Sequence, residues 1–328
     1  MQNKYKKDMT TTNIAIIGAG QLGSRHLQGL KKAQVPMNIY VLDASKESLA
    51  ICEQRYNEIA ENELIGNCFF TTQWDALPQN IDIAIVATGS KPRCVIIHEL
   101  VEKHHCHQLV LEKFLFPKMS QYDEISKLFH QNKVQAWVNC SRRYFDGYHK
   151  LRQLLLNDGP IHIVMEGKNW GLCCNSIHFI DLFAYLSDTK QIDFDCSGID
   201  PKIYESKRSG YIEMTGTIKG ISDNGSTIQI SSYAEYEGVG SLTVKSQHHD
   251  VEIFEGQNKM VVDGVETEMN MTFQSNLTGK YIEDLLSKRT LPLATFDESA
   301  NLHLQILPFF QEIYNKTTGS QSDLCPIT

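Results

Sequence analysis

The stretch Asn13–Leu30, NIAIIGAGQLGSRHLQGL, constrains this chain more than any other. An apolar run, Ile14–Ile17, leads straight into Gly18-x-Gly20-x-x-Gly23 and then into a helical pattern. Each glycine answers a steric demand. Gly18 permits the tight turn out of a strand, Gly20 lets an anion approach the backbone with no Cβ in between, and Gly23 lets the helix pack closely on the strand. The free N–H groups and positive dipole end of that helix then face the turn and favour a phosphate there. A second strand, Asn38–Leu42, ends at Asp43, twenty residues beyond Gly23. A carboxylate at this spacing accepts hydrogen bonds from an adenosine ribose. Strand, turn, helix, strand and acid together predict a dinucleotide-binding unit in which Gly18, Gly20, Gln21, Leu22, Gly23 and Asp43 touch the cofactor. Asp43 repels a 2′-phosphate, so NAD is expected, with Ser45 and Lys46 leaving NADP possible.

Strands and helices alternate as far as Cys140. A helix is expected at Lys46–Ile59 and strands at Asn67–Phe70, Ile81–Ala87, Gln108–Leu111 and Val134–Asn139. Ile81–Ala87 is continuously apolar, as strands buried on both faces are. The fold expected for residues 1–140 is a Rossmann-type doubly wound parallel sheet, with 1–12 a disordered lead-in. Residues 141–328 change character. Helices near Tyr148–Leu155 and Ser176–Leu186 give way to close-spaced strands at 211–219, 226–236, 241–246, 250–255, 259–262 and 265–269. Turn signals such as Asp223-Asn224-Gly225 and Asp263-Gly264 separate them. An α+β domain with a large, mostly antiparallel, open-faced sheet is expected, closed by helices at 272–287 and 297–315 and a loose tail at 316–323.

At 328 residues, with 41% hydrophobic and 21% charged residues, the chain has the composition of a soluble two-domain protein. A net charge of −8 argues against nucleic acid or an anionic membrane as partner. No apolar run reaches the roughly 20 residues of a membrane span. Nine scattered cysteines, with no CxxC pair, fit free thiols in a reducing cytoplasm. His104-His105-Cys106-His107 reads as a polar helix end, and no metal is expected. Cys173-Cys174 is not expected to act as a redox pair.

Three groups stand where hydride chemistry needs them. Lys113 follows a strand on the edge that receives the cofactor, and its ammonium can hold a substrate oxygen. His178 and Asp181 share a helix face at i, i+3. The histidine can exchange a proton with an alcohol, and the carboxylate can orient it or bind substrate. Thr88, in the loop Thr88-Gly89-Ser90 after another strand, lies where open α/β sheets bind ligands. Arg142, Arg143 and Lys168 would favour an acidic or phosphorylated substrate if they line the pocket, and are otherwise solvated charges.

In their order along nearly the whole chain, these pieces resemble the glucose–fructose oxidoreductase/inositol dehydrogenase/MocA family. The match runs through GAGQLGSRH with Arg25-His26, Ala87-Thr88, Glu112-Lys113 at the family's Glu-Lys-Pro, the segment Asn139–Phe145, His178-x-x-Asp181 and Thr295-Phe296-Asp297-Glu298-Ser299. The resemblance implies an NAD(P)-dependent oxidoreductase acting on a sugar, sugar acid, nucleotide-sugar or cyclitol. It implies catalytic Lys113, His178 and Asp181, cofactor contacts that include Thr88, Glu112 and Lys113, and substrate contacts from Lys113, Arg143, Asn175 and His178. A homo-oligomer, dimer or tetramer, is also implied. Departures keep a second reading open. Phe114 replaces the proline, so a trans or strained backbone is expected after Lys113, since a cis bond without proline costs about 2.5–4 kcal/mol. Cys174 replaces an aspartate, and Gly89 a proline. A non-catalytic dinucleotide-binding sensor on the same fold is the alternative, and a methyltransferase a distant third.

Overall fold

The structure is a computed structural model that describes residues 12–238 and 240–328. The lead-in expected over residues 1–12 lies, apart from Thr12, outside the described residues. The first unit runs β1 (Thr12–Ile17), α1 (Gln21–Leu30), β2 (Met37–Leu42), α2 (Lys46–Asn57), β3 (Ile65–Thr71), β4 (Ile83–Val86) and α3 (Ser90–His98). It continues with β5 (Gln108–Leu111), α4 (Ser120–Asn132) and β6 (Gln135–Val138). These six strands are parallel, in the order β6-β5-β4-β1-β2-β3. Every residue of β4 and β5 is buried, because helices cover both faces of the sheet. The chain winds outward from β1 through β2 to β3, then crosses to β4 on β1's other side. That reversal opens a crevice at the strand ends beside Gly18 and Thr88, where such sheets bind ligands.

The second unit begins with α5 (Asp146–Leu155), β7 (His162–Lys168), α6 (Leu172–Ser187) and β8 (Ile192–Ile199). A short hairpin, β9 (Tyr204–Glu205) and β10 (Ile212–Glu213), precedes β11 (Gly216–Ser222), β12 (Thr227–Tyr233) and β13 (Ser241–Lys245). Then come β14 (Asp250–Phe254), β15 (Lys259–Val262), β16 (Val265–Glu268), α7 (Gln274–Lys288), β17 (Ala294–Thr295) and α8 (Phe296–Thr318). Eight strands form one sheet, β16-β15-β14-β13-β7-β12-β11-β8, antiparallel except for β7 beside β12. Alternation explains it: in β14, Val251 and Ile253 point inward while Asp250 and Glu252 point to solvent. Strand β8 went unread in the sequence, because Asp193, Asp195 and Ser197 dilute its inward Ile192 and Cys196.

Two features differ from the sequence expectation. The tail expected to be loose at 316–323 is ordered: α8 continues to Thr318, and Gln311 and Asn315 side-chain amides donate to the Ser322 carbonyl at 2.7 and 3.0 Å. The second half of the chain also returns to the first sheet. Strand β17 pairs antiparallel with β6, and α7 lies against α1. Small residues set that helix contact: a Cβ on Gly279 would sit 2.8 Å from the Gly29 carbonyl oxygen. Among the described residues no helix is long and apolar enough to cross a membrane.

Candidate active site

The glycine turn has the shape its residues demand. Gly18 adopts φ +102°, which other residues rarely do. A Cβ on Gly23 would lie 1.8 Å from the Gly18 carbonyl oxygen, whereas one on Gly20 would meet nothing within 4 Å. The space before Gly20 is therefore open, and α1 begins there with no side-chain cap and no acidic residue in its first turn. Its N–H groups are left for an anion. Asp43 is anchored beside the turn: Ala19 N–H donates to Oδ2 at 2.7 Å and Ser45 N–H to Oδ1 at 2.8 Å. Thr88 packs against Gly18, and its hydroxyl is sealed without a partner. An open cradle, an uncapped helix, an oriented carboxylate and an unsatisfied hydroxyl fit a dinucleotide.

Lys113, at the end of β5, spans the boundary between the two units. Its ammonium donates to the Cys174 carbonyl at 2.9 Å and to Asn175 Oδ1 at 2.8 Å, at the start of α6. His178 follows Asn175 by three residues, on the same face of α6. Both line a cavity of about 380 Å³ together with Arg142, Trp170, Phe179 and Phe273. Burial, with Lys113, Arg142 and His303 nearby, holds His178 well below the usual imidazole range, so the ring is neutral. Its Nδ1 is sealed and unpartnered. The peptide after Lys113, where the sequence predicts a trans or strained backbone, is cis. Phe114 is fully buried, its ring 4.4 Å edge-on from His303, and its carbonyl accepts from Arg93. Tertiary packing, invisible around an isolated Lys-Phe pair, sets this geometry.

Three expected site residues sit differently. Asp181 does not orient His178: its Oδ2 accepts from Arg143 Nε at 2.9 Å, and Oδ1 is sealed without a partner. Burial pushes the Asp181 carboxyl up, against the opposing pull of Arg143. Arg143 in turn faces a separate cleft lined by Arg152, Tyr185 and Glu298, away from His178. Glu112 points inward, away from the crevice. Its Oε1 lies 3.0 Å from His26 Nε2 and accepts from Asn139 Nδ2 at 2.6 Å. Burial alone would raise its carboxyl, but His26, Asn139 and Lys113 hold it below the usual range. Arg142 is neutralised by a two-pronged pair with Glu255, 2.7 Å at each contact, and Lys168 by Glu235 at 2.5 Å.

Sequence reasoning missed two supports of this site. Glu213 caps α6, accepting from Cys173 N–H at 2.8 Å and Cys174 N–H at 3.2 Å. It lies 40 residues from Cys173, so no local capping motif reveals it. Burial raises both thiols, Cys174 to about 12, which leaves them unreactive. Arg93 is fully buried and donates to the carbonyls of Thr88, Phe114 and Leu115, tying the β4 loop to the segment after Lys113. In sequence it reads as one more charge on a helix.

Comparison with known proteins agrees with this architecture. Residues 12–140 match the family model described as oxidoreductase family, NAD-binding Rossmann fold. An oxidoreductase from Agrobacterium radiobacter, in complex with NAD+, L-tartaric acid and magnesium, superposes with a TM-score of 0.69 at 13% identity, covering 90% of this chain and 94% of that one. A UDP-N-acetylglucosamine 3-dehydrogenase from Acidithiobacillus ferrooxidans does so at 0.69 and 14%, covering 92% and 97%. At such identities the likeness is one of fold. A glutamyl-tRNA reductase from Cyanophora paradoxa is 26% identical over 162 residues, 47% of this chain and 35% of that protein, so the chain spans about a third of its length. Residues 12–140 thus carry the NAD-binding Rossmann fold of an oxidoreductase family, and the two-domain architecture is one shared with dehydrogenases of known structure.

Proposed function

We propose that this NAD-binding oxidoreductase transfers a hydride between the nicotinamide and a hydroxyl-bearing carbon of a sugar, sugar acid, nucleotide-sugar or cyclitol. The observation that carries the reading is the bond from Lys113 to Asn175, 2.8 Å, one helical turn from His178 at a cavity of about 380 Å³. Gly18, Gly20, Gly23, Thr88 and Asp43 would hold the cofactor, which supplies the hydride acceptor or donor. Lys113 directs an ammonium hydrogen at the substrate oxygen. Neutral His178 takes the hydroxyl proton at the ring nitrogen that is not sealed, or returns it in the reverse direction. Trp170 and Phe179, with the exposed Phe273 at the rim, offer apolar surface to a ring face. Arg142, already paired with Glu255, adds no net charge to the pocket. Arg143 and Asp181 position α6 from behind.

The test is turnover of the full chain with NAD(H) or NADP(H) across a panel of sugars, uronates, nucleotide-sugars and cyclitols. Lys113→Ala and His178→Ala are each expected to lower kcat by about 10²–10⁴. The acid limb of the kcat/KM profile is expected below the ordinary imidazole range, because protonation silences His178 only there. Unchanged turnover in both variants overturns the roles. Cofactor binding without turnover across the panel favours the sensor reading instead. The same proposal carries a cytoplasmic homo-oligomer, dimer or tetramer. The free state of all nine cysteines and the open outer sheet face, with Asp195, Thr217, Lys219 and Gln229, are its grounds. Light scattering of the full chain is expected to give at least twice the monomer mass.

A further inference from the structure

Away from the crevice, α3 and α4 bring three chemically different donors to one point. Cys94 and His98 stand one turn apart on α3, and Glu124 projects from α4. The Cys94 sulfur, a His98 ring nitrogen and a Glu124 oxygen all lie within 4.8 Å of one another. A tetrahedral zinc ion with bonds of about 2.0–2.3 Å spaces its donors about 3.3–3.8 Å apart, so small side-chain adjustments suffice. His98 Nε2 already sits 2.9 Å from Glu124 Oε1. The other ring nitrogen, Nδ1, lies 3.3 Å from Glu102 Oε1. A carboxylate behind the imidazole is how metal-binding histidines are held in orientation. Glu102 stands four residues beyond His98 on the same helical face, within the π-helical turn Glu99–Lys103 that directly follows α3. Such turns are rare and concentrate at functional sites.

We propose that Cys94, His98 and Glu124 form a zinc site, with Glu102 orienting His98 and water filling the fourth position. Thiolate, imidazole and carboxylate together suit Zn²⁺ and reject Mg²⁺ or Ca²⁺, which take oxygen alone. A His98–Glu124 ion pair by itself gives no reason for a buried cysteine to face the same point. The half-exposed Glu124, at 50%, gives the ion an entry path. Zinc there links α3 to α4. Helix α3 starts at the Thr88–Ser90 loop and carries Arg93, next to Cys94, which holds the carbonyls around Lys113. The ion thus fastens the helix that supports the cofactor edge from outside the reaction site.

The experiment is a titration of chelator-stripped, reduced full-length protein with Co²⁺, followed by Zn²⁺. One equivalent of Co²⁺ is expected to give a near-ultraviolet thiolate charge-transfer band that Zn²⁺ erases. Cys94→Ser should remove the band, and Glu102→Gln should weaken Co²⁺ affinity by about 10–100-fold. Zinc at a hundredfold excess over its Kd should raise the melting temperature by about 5 °C. Should Cys94→Ser fail to fold, the more exposed pair of variants His98→Gln and Glu124→Gln serves, each expected to weaken binding at least tenfold. No thiolate band, or a band that survives Cys94→Ser or both surface variants, overturns the proposal.

Discussion

Asp43 receives Ala19 N–H and Ser45 N–H on its two oxygens, and its charge faces the end of the glycine turn. Strand β2 and the spacing from Gly23 were enough to name it in sequence, because the geometry between them is local. Replacing Asp43 by Ser removes a charged acceptor worth about 1.5–3 kcal/mol. KM for NAD is therefore expected to rise about tenfold or more, while the preference over NADP narrows. Steady-state kinetics with both cofactors check this, and an unchanged ratio would remove Asp43 from cofactor choice. Lys113, Asn175 and His178 were equally legible, as residues. Their convergence was not, because Lys113 leaves the first sheet while the others stand on a helix of the second unit. Arg143 and Asp181 show the cost of reading charge without partners: both look like substrate contacts, and each answers the other at 2.9 Å.

Among the elements, periodic patterns were read well and close contacts poorly. The strands from β11 to β16 and both late helices follow from alternation and turn residues. α8 also carries a capping box in which Thr295 accepts from Glu298 N–H and Glu298 accepts from Thr295 N–H. The packing of α7 on α1 has no such signal. Gly29 and Gly279 read as isolated helix glycines, yet each occupies the space a side chain would need against the other helix. Gly279→Ala must force these helices apart, since its Cβ would also lie 3.0 Å from Ala33 N. A loss of about 1–3 kcal/mol is expected, measured by urea unfolding at neutral pH. Helix propensity alone predicts the opposite sign, a gain of up to about 1 kcal/mol, so the direction of the shift decides.

At the scale of the whole molecule, the C-terminal residues lock the two units together. Cys325 N–H donates to the Pro117 carbonyl at 2.9 Å, Ile212 N–H to Pro326 at 2.8 Å, and Ser90 Oγ–H to Ile327 at 2.5 Å. Cys325 and Ile327 are completely buried. Deleting residues 324–328 exposes the sockets of both side chains and is expected to cost about 3 kcal/mol or more. A lowered urea midpoint is the expected result, and an unchanged midpoint would show the tail to be dispensable.

Sequence alone determined the glycine turn, the alternation of strands and helices, the antiparallel second sheet and the acid beside that turn. All of these are written in local periodicity, turn residues and short spacings, even where the strands they predict pair with distant partners. Tertiary structure alone decided that α7 and β17 return to the first unit and that the tail seals the β4 loop. It likewise decided that Glu213 caps α6, that Arg93 supports Lys113, and that Asp181 belongs to Arg143. Those pairings join residues dozens to hundreds of positions apart, and a one-dimensional pattern carries no record of which distant surfaces must share the same buried space.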